Sequence, residues 1–178
     1  MLLTILRVGD ANNKIVDIVR KGLAKAFPDC LCRKSKAIVQ PPKEAYNPTR
    51  RQYNSSIILS SISKYAIIHG ADRVLGITDY DLYVPALNFV FGEAQYPGKA
   101  AIISLYRLRP EFTGRPSNIT LFKERAVKEA IHEVGHTLGL GHCQNSVCVM
   151  YFSNSILDTD RKTSHFCERC NLMISSKL

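Results

Sequence analysis

Residues 132 to 142, which read H-E-V-G-H-T-L-G-L-G-H, contain the side chains in this sequence that are best suited to chemistry. His132 and His136 are four positions apart, so on a helix their imidazoles project from one face and can bind a single ion. Glu133 lies about 100 degrees further round the same helix. It is therefore placed to reach a water held by the metal rather than to bind the metal itself.

A third ligand, His142, comes within reach of the same ion if the helix ends before it. Gly139 can adopt a positive φ, which would end the helix and turn the following residues back beneath the metal. Three nitrogen ligands leave a fourth position open, as in catalytic zinc sites. We therefore predict a zinc-dependent metallopeptidase in which zinc-activated water attacks the peptide bond and Glu133 is the general base.

The spacing of these residues is too specific to be a chance pattern. Five fixed residues, each with a frequency of about one in twenty, recur at about one starting position in three million. The stronger alternative is a basic zinc-binding interaction module that retains the site with little or no turnover. Glu133 argues against that alternative, because a purely structural site needs no carboxylate beside its ligand.

Four of the six cysteines follow this segment in two pairs. Four residues separate Cys143 from Cys148, two separate Cys167 from Cys170, and eighteen lie between the pairs. These are zinc-knuckle spacings, and four thiolates with no open position form a structural site. Two disulfides are the alternative, which the lack of a secretion signal disfavours. We expect two zinc ions per chain, one catalytic and one structural, the second holding His142 in place through its neighbour Cys143.

The segment that spans these histidines and cysteines resembles the zinc motif of the metzincin metalloproteases. A cysteine directly after the third histidine, followed by Cys148, Met150, Cys167 and Cys170, is similar to the pattern of the archaemetzincins. The resemblance covers residues 132 to 170, about a fifth of the chain. The order of strands and helices before this segment agrees with the metzincin layout.

The resemblance also implies roles for individual residues. It implies that the three histidines bind zinc, that Glu133 is the catalytic base and that Met150 lies in the turn beneath the zinc site. Some metzincins carry a tyrosine two residues beyond this methionine, but that position is Phe152 here. Tyr151, one residue beyond the methionine, receives no catalytic role.

The composition is that of a globular protein with a basic surface. Hydrophobic residues make up 46% and charged residues 22%, and no apolar run approaches the roughly 18 residues of a membrane span. The formal charge of +9 is scattered along the chain, which favours a solvated surface over a nucleic-acid site. The apolar start MLLTILRVG is typical of a strand rather than a signal peptide. Six cysteines without that signal indicate a reducing compartment, so we expect a cytoplasmic protein. We also expect it to be a monomer that acts on peptides or proteins and does not bind a membrane.

The elements that must position these residues alternate between strands and helices. Branched apolar runs predict strands, and apolar residues at helical spacing predict helices. The predicted strands cover residues 2–8, 35–39, 73–78, 88–93 and 100–108, and the predicted helices run from Asn12 or Asn13 to about 27, from Asn54 or Ser55 to Gly70, and from about 119 to 138. The turn residues Y-P-G-K at 96–99 indicate that the last two strands form an antiparallel hairpin at a sheet edge.

We therefore expect an α/β (α+β) fold in a single domain, 1–178. It would contain a metzincin-like mixed, twisted sheet of about five strands, with helices that include the active-site helix. Residues 1–138 would form the sheet and helix subdomain, and residues 139–178 a small C-terminal subdomain clamped by the four-cysteine zinc. The outer strand of the hairpin would offer its backbone to an extended substrate.

The remaining cysteines and histidines receive no functional role. Cys30 and Cys32 have no matching pair, so they are expected to be ordinary thiols. His69 lies beside the helix-ending Gly70, and His165 lies near the second cysteine pair. Both histidines are expected to make local contacts only.

Overall fold

The computed structural model describes residues 1–175, and this part of the chain forms eight strands and five α-helices. The strands are β1 (Leu2–Val8), β2 (Leu31–Val39), β3 (Tyr46–Asn47), β4 (Gln52–Asn54), β5 (Arg73–Thr78), β6 (Leu82–Tyr83), β7 (Gly92–Ala94) and β8 (Ala100–Ser104). The helices are α1 (Asn13–Ala26), α2 (Ser55–Ile68), α3 (Ile119–Thr137), α4 (Ile156–Arg161) and α5 (Glu168–Ser175). Two short 3₁₀ turns cover Lys43–Ala45 and Pro110–Thr113.

The main sheet has five strands in the order β2-β1-β5-β8-β7. The first four are parallel, and β7 runs antiparallel to β8 at the edge. This confirms the predicted mixed sheet with an edge hairpin. A second sheet, β3-β4-β6, was not predicted, because strands of two or three residues leave no readable alternation.

Helices cover both faces of the main sheet. α1 and α3 pack together on one face, while α2 packs against β5 and β8 on the other. The strands between these layers are buried on both sides, so β8 reads as the continuous run A-A-I-I-S with every residue buried. An asparagine directly precedes each of these three helices and caps it, because its side chain accepts hydrogen bonds from backbone N–H groups of the first turn. These residues are Asn12, Asn54 and Asn118.

The structure corrects the bounds of three strands. β2 begins at Leu31 rather than at residue 35, because its first residues pair with the start of β1. The strand predicted for 88–93 begins later than expected, since β7 covers only Gly92–Ala94 and residues 84–91 form an irregular segment. β8 ends at Ser104 rather than at 108, and a 3₁₀ turn follows from Pro110.

The segment after α3 packs onto the same core as α1 and the sheet. The ring of Phe166 meets the ring of Phe27 edge to face at 5.6 Å, and Val149 and Met150 are fully buried in that core. The chain therefore leaves α3 and returns beneath it. Among residues 1–175, no helix is both long enough and apolar enough to cross a bilayer.

Candidate active site

α3 carries the first two predicted metal ligands on one face. His132 and His136 direct their Nε2 atoms at each other, 3.0 Å apart. The Nδ1 atom of His132 lies 2.8 Å from the carbonyl oxygen of Val149, and that of His136 lies 2.7 Å from the carbonyl oxygen of Leu140. A carbonyl oxygen only accepts hydrogen bonds, so each Nδ1 carries the proton and each Nε2 keeps a free lone pair.

The third histidine reaches the same point because the helix stops at a glycine. Gly139 has a φ of +81°, and the backbone N–H of Leu140 returns to the carbonyl oxygen of Gly135 at 3.1 Å. The ring of His142 then lies 5.4 Å from the ring of His132 and 4.8 Å from the ring of His136. One nitrogen from each ring falls within 4.8 Å of the other two.

The chemistry of these three nitrogens fits zinc. Burial is the main cause that lowers the pKa of all three imidazoles, so each ring is held neutral, which is the form that binds metal. Three converging nitrogens, two of them on rings with a carbonyl partner on the far side, could hold a metal ion and match the donor sets that catalytic zinc sites use. His142 is the most exposed of the three, which keeps the site open on its side.

Glu133 faces the same cleft from the buried side of α3. Burial is the largest cause that raises the pKa of its carboxyl, and the nearby Glu129 raises it further, while Lys162 opposes both. Its side chain packs against β7: a Cβ built on Gly92 would lie 2.6 Å from the Cγ of Glu133. A glycine at position 92 therefore makes room for this carboxylate at the strand.

Met150 lies fully buried beneath α3. A Cβ built on Gly135 would lie 2.6 Å from its sulfur, so the thioether fits against the helix where a side chain is missing. The carbonyl oxygen of Met150 accepts the backbone N–H of Cys143 at 2.9 Å. The turn that carries Met150 is thus tied to the residue directly after His142.

The four predicted thiol ligands also converge. The sulfurs of Cys143, Cys148, Cys167 and Cys170 lie within 4.8 Å of one another, and all four are free thiols. The pKa of the Cys167 thiol is lowered to about 7, mainly because its thiolate accepts a hydrogen bond from the backbone N–H of Cys170. Burial raises the pKa of Cys148. Four sulfurs in this arrangement fit a closed tetrahedral zinc site.

The two clusters are joined at two places. His142 and Cys143 are adjacent in the chain, and Val149, whose carbonyl oxygen holds His132, directly follows Cys148.

The cysteines and histidines that were expected to have no functional role lie away from both clusters or at the surface. Cys30 and Cys32 lie buried at the start of β2, the His69 ring packs on Tyr65, and His165 is exposed.

A cleft of about 370 Å³ contains the histidines and Glu133. Residues 87–94 line one side of it, and Phe152, Ser153 and Asn154 line another. The Phe152 ring lies 4.9 Å from the His142 ring. Sequence reasoning gave no role to most of these residues, because nothing in their local pattern links them to a helix some forty residues away.

A buried ion pair near the base also escaped the sequence analysis. Lys162 Nζ lies 2.9 Å from Glu129 Oε1, close enough for an ion pair but not aligned as a hydrogen bond. Thr159 donates its hydroxyl to the same oxygen at 3.1 Å. Glu129 is one helical turn before Glu133, a spacing that could have placed it on the inner face of α3. Nothing in the sequence around Lys162 indicated that its side chain would be buried beside Glu129.

The family model for peptidase family M54 matches residues 7–176. This chain belongs to peptidase family M54. Among other members, the archaemetzincin of Methanocaldococcus jannaschii is 48% identical over 170 residues, which are 96% of this chain and 90% of that protein. The chain is accordingly a zinc metallopeptidase, and its substrates are peptides.

Solved archaemetzincin structures share the fold of this M54 peptidase. The crystal structure from Methanopyrus kandleri superposes with a TM-score of 0.84 at 37% identity, covering 99% of this chain and 94% of that chain. The crystal structure from Archaeoglobus fulgidus, complexed with malonate, also gives a TM-score of 0.84, at 38% identity, covering 97% of this chain and 99% of that chain. The resemblance inferred from the histidine and cysteine segment is therefore confirmed over nearly the whole chain.

Proposed function

We propose that this M54 peptidase holds its catalytic zinc on His132, His136 and His142 and uses Glu133 as the general base of peptide hydrolysis. The observation that best supports this is the convergence of three neutral ring nitrogens beside a buried carboxylate in one cleft. Zinc bound there supplies a Lewis acid that lowers the pKa of water toward about 7 and polarises a carbonyl.

Glu133 moves the proton in this proposal. Its carboxylate takes a proton from the attacking water as the new C–O bond forms, and gives that proton to the amine nitrogen as the C–N bond breaks. The contact with Gly92 limits the directions in which the carboxylate can point. The proton is therefore taken up and released by one group at a fixed place in the cleft.

Replacement of this carboxylate tests the proposal. Glu133→Gln keeps the shape and the contact with Gly92 but loses the base, so we expect hydrolysis to fall by at least about a hundredfold with unchanged zinc content. Glu133→Ala should abolish it. Substrates come from a peptide library digested by zinc-loaded protein and analysed by mass spectrometry. Glu124→Gln, at an exposed position of the same helix, is the control. Wild-type rates in Glu133→Gln would show that another group is the base.

We also propose that an extended peptide binds along β7. The carbonyl of Phe91 and the N–H of Gln95 bond to β8, so by strand alternation the backbone groups of Gly92 and Ala94 point away from it. These groups flank the cleft and can pair with a substrate strand. In a series of peptides that each carry one N-methylated amide, affinity should fall only when the methyl group is at every second residue. An equal effect at all positions along the peptide would contradict this arrangement.

The four thiolates are proposed to hold a second, structural zinc. That ion would make residues 139–178, of which 176–178 lie outside the described residues, a clamped subdomain of a single-domain protein, since so short a segment has little core of its own. The monomeric state and the cytoplasmic location stay predictions, to be checked by light scattering and by cell fractionation.

A further inference from the structure

One side of the active-site cleft is formed by residues 84–91, called here the cleft wall. It lies between β6 and β7, and its side chains Leu87 and Phe89 line the cleft together with Phe91, which is buried. Leu87 is 51% exposed, and across the cleft Phe152 is 49% exposed against His142. Large apolar side chains left exposed beside a reactive site are typical of a surface that a ligand covers.

Arg50 holds the cleft wall from behind. One of its terminal nitrogens donates to the carbonyl oxygens of Leu87 and Asn88, each at 2.9 Å. Its Nε donates to Gln52 Oε1 at 2.9 Å, and its guanidinium lies 4.3 Å from the centre of the Tyr83 ring. These two carbonyl oxygens of the wall thus bond to a side chain instead of a neighbouring strand.

Arg107 holds the cleft wall at a second point. Its guanidinium forms two bonds with the carboxylate of Asp81, at 2.7 and 2.8 Å, and lies 4.4 Å from the centre of the Phe89 ring. Gln52 Nε2 donates both to Asp81 and to the carbonyl oxygen of Asn88, each at 3.0 Å. The two arginines therefore belong to one network.

This network does not itself line the cleft. The residues facing the cleft belong to the wall, to β7, to α3, to the His142 turn and to the segment 152–154, whereas Arg50, Gln52, Asp81 and Arg107 lie behind the wall. Planar guanidinium groups that make several directed bonds at once cannot be replaced by lysine without loss of some of them. The network is thus built to fix a shape rather than to contact a substrate.

We propose that Arg50 and Arg107 are positioning residues that hold the cleft wall in place, and that this wall binds a large apolar side chain of the substrate next to the scissile bond. The inference rests on the proposed peptidase site and adds its specificity. Covering a leucine or phenylalanine side chain with Leu87 and Phe89 removes apolar surface from water, which favours such peptides by about tenfold or more in kcat/KM.

The test uses quenched fluorescent peptides that differ only at the two residues flanking the scissile bond, with Leu or Phe compared with Ser or Asn. Wild-type protein should prefer the apolar peptides by about tenfold or more. In Arg50→Lys, KM for the apolar peptides should rise by about tenfold, while kcat and the kinetics of the polar peptides change by less than about threefold. Leu87→Ser, at an exposed position, should reduce the same preference without loss of the folded state.

Controls separate specificity from stability. Arg51→Lys changes the adjacent, exposed arginine in the same way and should keep the wild-type preference. Thermal unfolding and zinc content are measured for every variant. An equal loss of activity on all peptides in Arg50→Lys, or an unchanged preference in Leu87→Ser, would overturn the proposal. Turnover by the wild-type protein without any apolar preference would also overturn the proposal, but it would leave the peptidase function intact. If zinc-loaded protein cleaved no peptide at all, the proposed function itself would be refuted.

Discussion

The side chain of Glu133 occupies the space that a Cβ would need at Gly92, the first residue of the edge strand β7. A Cβ built at this glycine would lie 2.6 Å from Cγ, 2.7 Å from Oε1 and 2.8 Å from Cδ of Glu133. No side chain other than hydrogen fits there without moving the carboxylate or the strand. The proposed base is therefore positioned by the strand that is also proposed to bind the substrate.

Gly92→Ala is expected to displace the Glu133 carboxylate and to lower kcat by about ten- to a hundredfold, because misplacement of a reacting group by about 1 Å has effects of this size. Zinc content should stay unchanged. Gly76→Ala is the matched control, since its methyl also enters a buried strand but meets Ile62 on the other side of the sheet. It should lower the unfolding temperature and leave kcat intact. Equal kcat in both variants would show that the contact with Gly92 has no catalytic effect.

Gly135→Ala is expected to destabilise the zinc-loaded protein by about 1 kcal/mol. Alanine gains about 1 kcal/mol of helix propensity over glycine, but overpacking a methyl against the Met150 sulfur costs about 1–3 kcal/mol. Denaturant unfolding measures the change. In the double variant with Met150→Ala the methyl has space, so the two effects should couple by about 1 kcal/mol. Strictly additive effects would show that Met150 does not restrict position 135.

Lys162→Met is expected to lower the free energy of unfolding by about 3–5 kcal/mol, because Glu129 keeps a buried charge without its partner. Both side chains are almost completely buried, with exposed fractions of 0% and 3%. Glu129→Gln removes that charge and still accepts the Thr159 hydroxyl. The double variant should therefore recover most of the loss, and a double variant as unstable as Lys162→Met would contradict this account.

Metal removal is expected to proceed in two steps. Mild chelation should remove about half the zinc and all activity with little change in circular dichroism, because the histidine site keeps an open position. Harsher chelation, or Cys167→Ser, should disorder the segment from Cys143 onward, because four thiolates couple the ion to folding. Metal analysis that finds one zinc per fully folded chain, with these thiols free or oxidised, would refute the scheme.

The fold was predictable from the sequence where the signal is local. Branched apolar runs predicted β1 and β5, and asparagine caps with helical spacing predicted α1 and α2. The convergence of the three histidines depends on one helical turn and one glycine, which are also local features. Spacing along the chain carries information of this kind directly.

What the sequence did not provide depends on contacts between distant segments. Residues 88–93 resemble a strand in composition, but the carbonyl oxygens of Leu87 and Asn88 bond to Arg50, 37 and 38 residues earlier. The contact between Gly92 and Glu133 and the pair of Glu129 with Lys162 likewise join elements that only the folded chain brings together. In these cases contacts with residues distant in the sequence determined the structure, and local sequence preference did not predict it.

If the four thiolates hold zinc as proposed, the link between His132 and the cysteine segment predicts an order of metal uptake. His136 obtains its carbonyl partner from Leu140, four residues away, but His132 depends on Val149, which directly follows Cys148. Until the tail that carries Val149 packs beneath α3, the His132 imidazole lacks the carbonyl partner that fixes its orientation, although Gly139 already turns the chain of His142 back towards the helix. A newly synthesised chain should therefore fill its thiolate site first. Protein refolded with one equivalent of zinc is therefore expected to be folded but inactive, with an empty histidine site, and to become active when a second equivalent is added, without a further folding step.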